Sequence, residues 1–224
     1  MIENNFLDER SVYLMNRNKL QDGLLAKIKS GSNGEFKLEL GGSEVFQALL
    51  SKDMLLPMFY TLLEAACEKG NADIVNILLS YDGVDVNQHY TMTYMTTVLF
   101  TAAYYGNVEV VKVLLDRPNV NISVKNDGGL TAFHMAAMSG SIEIMKLLSH
   151  RPDFQLSDTY VDCETALMCA ARKGRMGAVK FLLQLYPLSV ITQKYYGDTA
   201  SDEAENEYND DVAIVINEFI SQNQ

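Results

Sequence analysis

Apolar and polar positions recur along the chain in one nineteen-residue pattern. Its clearest copy opens at Thr97 and reads T-V-L-F-T-A-A-Y-Y-G-N-V-E-V-V-K-V-L-L. Others open at Thr61 (T-L-L-E-A-A-C-E-K-G-N-A-D-I-V-N-I-L-L), Thr131 (T-A-F-H-M-A-A-M-S-G-S-I-E-I-M-K-L-L) and Thr165 (T-A-L-M-C-A-A-R-K-G-R-M-G-A-V-K-F-L-L). A worn copy opens at Thr199. The five threonines are spaced by 36, 34, 34 and 34 residues. A fixed period of that size predicts stacked repeats rather than a single core.

Each copy predicts two helices. The threonine can accept a backbone N–H at a helix start. A short helix follows, with small residues at Ala66–Cys67, Ala102–Ala103, Ala136–Ala137 and Ala170–Ala171 that let a neighbour approach closely. Gly70, Gly106, Gly140 and Gly174 then stand where a helix stops in a left-handed residue. The second helix carries an apolar stripe such as Val110, Val111, Val113, Leu114 and Leu115. One such hairpin cannot cover its own apolar faces, so it must stack on copies of itself.

This pattern resembles the ankyrin repeat, with its T-P-L-H-x-A-A-x-x-G turn and V-V-x-x-L-L helix, over roughly Leu56 to Ile220. The proline is replaced by Leu62, Val98, Ala132, Ala166 and Ala200, and His134 alone keeps the histidine. The resemblance implies an all-α solenoid of helix-turn-helix units with β-turn fingers. Residues 1–54 form a helical N-terminal region or divergent cap, and 55–221 the repeat domain. Repeats lie near 56–87, 88–121, 122–156 and 157–191, with a degenerate cap at 192–221 whose Tyr208 replaces the closing glycine. It also gives His134 a structural role, bonded to its threonine and the neighbouring backbone, and marks Asn87 and Asn121 as finger asparagines of a kind that oxygenases hydroxylate.

Charge narrows the partner. A net charge of −11 and a pI near 4.7 argue against nucleic acid, whose phosphates need clustered Lys and Arg, and disfavour an anionic membrane. A protein with a basic face fits better, although acidity also keeps chains soluble. No run approaches the ~20 apolar residues of a membrane span. The N-terminal Glu3, Asp8 and Glu9 do not read as a secretory leader. Cys67, Cys163 and Cys169 have neither disulfide-framework nor zinc spacing. Thiols suit a reducing compartment, so a cytoplasmic monomer without cofactor or metal is expected.

Before the repeats, Asp8 to Lys29 reads as a helix interrupted at Gly23. The alternation Phe36, Leu38, Leu40 suits a short strand, and Ser43 to Leu50 another helix. No nucleophile elbow, phosphate loop or H-E-x-x-H is present. His89 and His150 have no paired ligand in the sequence, and an enzyme hidden in residues 1–54 is disfavoured because that region has no His or Cys.

Function is therefore expected at positions the stack does not need. In the resembling family, partners bind a concave surface made of fingertips and the ends of the first helices. Here those positions are Tyr94, Tyr104, Tyr105, Met138, Asp162, Arg172, Lys173, Tyr195 and Tyr196. Tyr, Met and Arg are enriched at interface cores. The expectation is a non-catalytic scaffold, adaptor or inhibitor; an effector that an intracellular bacterium or parasite delivers to host cytosol is the alternative.

Overall fold

The fold was analysed in a computed structural model, which describes residues 9–36, 56–81, 84–89, 97–159 and 164–224. Those residues fall into two compact units, divided along the chain between Val84 and Asp85. Helices dominate throughout.

In the first unit, α1 (Glu9–Ser30) runs through Gly23 without a break and packs on α2 (Leu56–Lys69), which is followed by α3 (Ala72–Leu78). Leu20, Leu24 and Ile28, spaced four apart on one face of α1, are buried with Phe36, Phe59, Leu62, Leu63, Ile74 and Val75. Two expectations change here. Residues 33–36 are helical, so Phe36 plugs the core from a turn of helix rather than from a strand. Thr61 lies inside α2, which starts at Leu56. The apolar run Leu56–Tyr60 extends the helix backwards, and Pro57 is tolerated because a first turn needs no donor there. Residues 37–50, including the anticipated helix after Ser43, lie outside the described ones.

The second unit repeats one hairpin four times. The first helices are α4 (Val98–Tyr104), α6 (Ala132–Ser139), α8 (Ala166–Arg172) and α11 (Ala200–Asn206). Each packs on the next, forming one layer. The second helices, α5 (Val108–Leu115), α7 (Ile142–Ser149), α9 (Met176–Leu185) and α12 (Asp210–Asn223), form the other layer. A short α10 (Leu188–Ile191) packs on α12. Among the described residues there is no strand beyond a single bridge between Tyr195 and Asp198. Core residues come from both layers: Ala102, Ala136 and Ala170 from the first, Val111, Met145 and Val179 from the second.

Threonine caps set each start. Thr97 Oγ1 accepts from Phe100 N at 3.4 Å and Thr165 Oγ1 from Met168 N at 3.1 Å. Thr199 and Asp202 bond reciprocally: Asp202 Oδ2 accepts from Thr199 N at 2.8 Å, and Thr199 Oγ1 accepts from Asp202 N at 3.3 Å. In the buried Thr131–His134 pair, Nδ1 accepts from Thr131 N at 3.0 Å, so the ring proton sits on Nε2.

Each stop is equally regular. The residue after the left-handed one donates its N–H to the carbonyl of an alanine five positions earlier. The bonds are Asn107 to Ala102, Ser141 to Ala136, Arg175 to Ala170 and Asn209 to Ala204, at 2.8–3.0 Å. The same bond, Asn71 to Ala66 at 2.9 Å, closes α2 in the first unit. This is a Schellman closure, and it requires positive φ at the residue before the donor. Gly106, Gly140 and Gly174 supply φ of 72°, 82° and 62°.

Two closures also clasp the unit before them. Arg175 Nε donates to Met138 O at 2.9 Å. Asn209 Nδ2 reaches Ala171 O at 3.2 Å, which also accepts from Gly174 N, and Arg172 O at 3.0 Å, so it adds a donor to the carbonyl end of α8. A Cβ on Gly174 would sit 2.5 Å from Asn209 Oδ1.

Two outcomes follow from these contacts. Gly174→Ala should lose about 2–4 kcal/mol in urea unfolding, combining left-handed strain with displaced Asn209 hydrogen bonds; a loss below ~1 kcal/mol would contradict the clasp. Asp202→Ala should lose about 0.5–1 kcal/mol at neutral pH. The backbone N–H and hydroxyl of Thr199 hold the Asp202 carboxyl below its usual range. That contribution is therefore complete above the ordinary carboxylate pKa and lost as pH falls through the folded value. The gap between wild type and variant should close in acid.

Candidate functional site

The closures dictate which side chains face solvent. In each unit of the second body, the two residues before the left-handed turn end the first helix and lie outside the buried layer. They are Tyr104–Tyr105, Met138–Ser139, Arg172–Lys173 and Asn206–Glu207. Because α4, α6, α8 and α11 stack in that order, these pairs form one row. Tyr94 and Asp162 lie outside the described residues.

Tyr104 and Tyr105 are 47% and 51% exposed, and their rings meet edge-on at 5.2 Å between centroids. Aromatic rings on a solvent-facing helix end are poorly used by the fold itself. Met138 is half-buried, and its carbonyl is the acceptor for Arg175.

Arg172 has a different role from its neighbours in the row. Its guanidinium pairs with Glu164, which precedes α8, and its Nε lies 3.4 Å from Glu203 of α11. Both carboxylates are largely shielded, so Arg172 links successive units. Lys173 beside it is exposed.

Tyr195 and Tyr196 meet at 4.5 Å between centroids. They belong to a tight turn in which Tyr195 N donates to Asp198 O at 2.9 Å and Asp198 N returns a bond at 3.2 Å. Its two central residues, Tyr196 and Gly197, have φ of 52° and 105°, the pattern of a type I′ turn. Tyr208 occupies the left-handed position with φ of 60°. Tyr196 and Tyr208 are 94% and 91% exposed. A non-glycine there costs of order 1 kcal/mol.

Sequence reasoning named Tyr196 and noted Tyr208 as a replaced glycine, but nothing in the one-dimensional pattern signals backbone strain. The partners of Arg172 were missed because Glu164 and Glu203 meet only once α8 and α11 are stacked.

The last unit concentrates acid: Asp198, Asp202, Glu203, Glu205, Glu207, Asp210 and Asp211 against Lys194. Among the described residues no three His, Cys, Asp or Glu side chains are grouped to hold a metal. No described helix is long and apolar enough to cross a membrane. Burial pushes the Cys67 thiol up, with Glu64 adding to the effect, which leaves it a poor nucleophile. His150 Nδ1 lies 2.6 Å from Lys146 O.

Asn87 Oδ1 accepts from Asn121 N, and Asn87 Nδ2 donates to Asn119 O, both at 2.8 Å. The amide thus fastens one finger to the next. Asn126 folds its own finger, accepting from Gly128 N and Leu130 N at 3.0 and 2.9 Å.

Comparison with known proteins agrees with this geometry. The family description "Ankyrin repeats (3 copies)" matches residues 62–158, and "Ankyrin repeat" matches 162–187. The chain belongs to the ankyrin-repeat family, and its fold class is all-α. Ankyrin repeats are in general protein–protein interaction modules. Over 75 residues the chain is 36% identical to alpha-latrotoxin-Lg1a of Latrodectus geometricus, alpha-latrotoxin-Lh1a of Latrodectus hasselti and alpha-latrotoxin-Lt1a of Latrodectus tredecimguttatus. That stretch is 34% of this chain and 5% of each toxin, so the chain spans only a small part of those relatives.

Replacing Arg172 should act on stability. Arg172→Ala leaves the shielded carboxylates of Glu164 and Glu203 without the cation that both contact, and about 1–2 kcal/mol should be lost in chemical denaturation. Arg172→Lys should recover only part of it, because an ammonium cannot span both carboxylates as the planar fork does. Unchanged stability in the alanine variant would contradict the linking role.

Proposed function

We propose that the chain is a non-catalytic protein-binding module whose partner docks along the row of first-helix ends, with Tyr104 and Tyr105 as its main anchors. The observation that carries this reading is the half-exposed, edge-stacked tyrosine pair on a backbone fixed by the Schellman closures. A preformed surface loses little conformational entropy on binding. The row corresponds in sequence position to the first-helix ends that partners use in the resembling family, and the acidity of the chain favours a partner with a basic face. The buried thiols Cys67 and Cys169 favour a reducing, cytoplasmic setting.

The available area sets the scale. With half of each ring already covered, the pair offers roughly 200 Å² for burial, using typical ring areas. At about 25 cal/mol per Å² this is roughly 5 kcal/mol gross, so the pair must act with the rest of the row to offset association costs.

The test is affinity capture with wild type and a Tyr104→Ala/Tyr105→Ala variant, followed by titration of the partner identified. The variant should bind at least tenfold more weakly with a Tm within about 2 °C of wild type, since neither ring fills the core. Equal affinity would reject this row as the docking surface.

A further inference from the structure

We propose that Asn33–Gly34 is a self-modification site, where spontaneous deamidation of Asn33 severs the link between the end of α1 and the start of α3. The site belongs to the first unit and does not depend on the binding row.

The link is a chain of side-chain amides. Asn71 caps α3, its Oδ1 accepting from Ile74 N at 3.2 Å. Its Nδ2 donates to Asn33 Oδ1 at 2.5 Å, and Asn33 Nδ2 donates to Asp73 Oδ2 at 3.2 Å. Asn33 follows the closure of α1, in which Ser32 N returns to Lys27 O at 3.0 Å past the left-handed Gly31. Phe36 N then bonds Ser32 O at 3.0 Å, a turn that spans Asn33 and seats the fully buried Phe36. One amide thus joins two helices from within the turn that places a core residue.

Asn33–Gly34 is the one Asn-Gly pair in the chain. With no Cβ on the following residue, its backbone nitrogen reaches the asparagine Cγ with the least hindrance. Gly34 is exposed, and its N–H, in the first turn of a helix, has no acceptor among the described residues. The fold does not require glycine there. A Cβ at Gly34 would meet nothing within 4 Å, and Gly34 is not among the glycines at positive φ. In a helix, glycine nevertheless costs about 1 kcal/mol relative to alanine. A residue that weakens the turn without serving it points to the chemistry of the pair.

The step needs no co-reactant but water. Gly34 N loses its proton to solvent base and attacks Asn33 Cγ. The N–Cγ bond forms, the Cγ–Nδ2 bond breaks, and Nδ2 leaves as ammonia. The cyclic imide then adds water at either carbonyl, giving aspartate or isoaspartate. While the turn is closed, its hydrogen bonds restrain the Asn33 amide, so reaction proceeds through local opening. Either product opposes reclosure. Aspartate puts a carboxylate oxygen where Asn33 Nδ2 met Asp73, beside a like charge. Isoaspartate lengthens the backbone by a methylene between Ser32 and Phe36, which breaks the bond that seats Phe36. Opening thereby becomes one-way, and the site limits how long the first unit keeps its α1–α3 link.

The experiment ages the full chain in mildly alkaline buffer. Peptide mapping by mass spectrometry separates asparagine, aspartate and isoaspartate, and hydrogen exchange follows the Phe36 and Ile74 amides. Asn33 should deamidate faster than every other asparagine, and faster still as pH rises. Gly34→Ala should slow it about tenfold or more, since the added Cβ hinders the attack, and should not lower Tm. The aged protein and a fresh Asn33→Asp variant should exchange both amides about three- to tenfold faster than unaged wild type. An Asn33 that stays intact while other asparagines deamidate would overturn the site, as would wild-type deamidation in the Gly34→Ala variant. Aged protein whose Phe36 and Ile74 amides keep full protection would overturn its effect on the fold.

Discussion

The second unit depends on one backbone hydrogen bond made four times. An N–H just past a left-handed residue returns to the carbonyl of an alanine five positions earlier. It stops the first helix, turns the chain into the second, and requires a residue that can hold positive φ. The alanine that accepts is the same small residue that lets the next hairpin approach, so one local bond sets both the hairpin angle and the stacking distance. Arg175 and Asn209 then use the same corner to clasp the preceding unit. Neighbouring hairpins are thus coupled through polar contacts at one edge as well as through their apolar faces.

The same bond produces the candidate surface. Residues before the turn are forced out of the packed layer, so whatever stands there meets solvent. In three units these are tyrosines, a methionine and serine, and a charged pair, and in the last an asparagine and a glutamate. Buried alanines and capping threonines recur unchanged at their positions, whereas these side chains differ from unit to unit. A fixed frame with variable outward residues is how a repeat array acquires a particular partner.

Much of this was legible in the sequence. The period, the threonine caps and the left-handed glycines follow from residue types at fixed spacing, because each acts over one helical turn. Thr61 misled for the same reason: local spacing marks it as a cap, but the apolar run from Leu56 carries the helix past it. Gly23 misled in the opposite direction, since packing of Leu20, Leu24 and Ile28 holds α1 together across it. The Glu164–Arg172–Glu203 link and the clasp of Asn209 on α8 were illegible because their partners are brought together only by stacking. Tyr208 was visible as a missing glycine, but its left-handed backbone could not be read from a residue that disfavours that conformation.

Native-state hydrogen exchange at the closing amides tests the account most directly. The N–H groups of Asn107, Ser141, Arg175 and Asn209 should be protected to the same degree as the interior amides of the helices they close, because opening one would release the hairpin and its clasp. Exchange at these four sites near the rate of an unstructured chain, with the helices still protected, would contradict it.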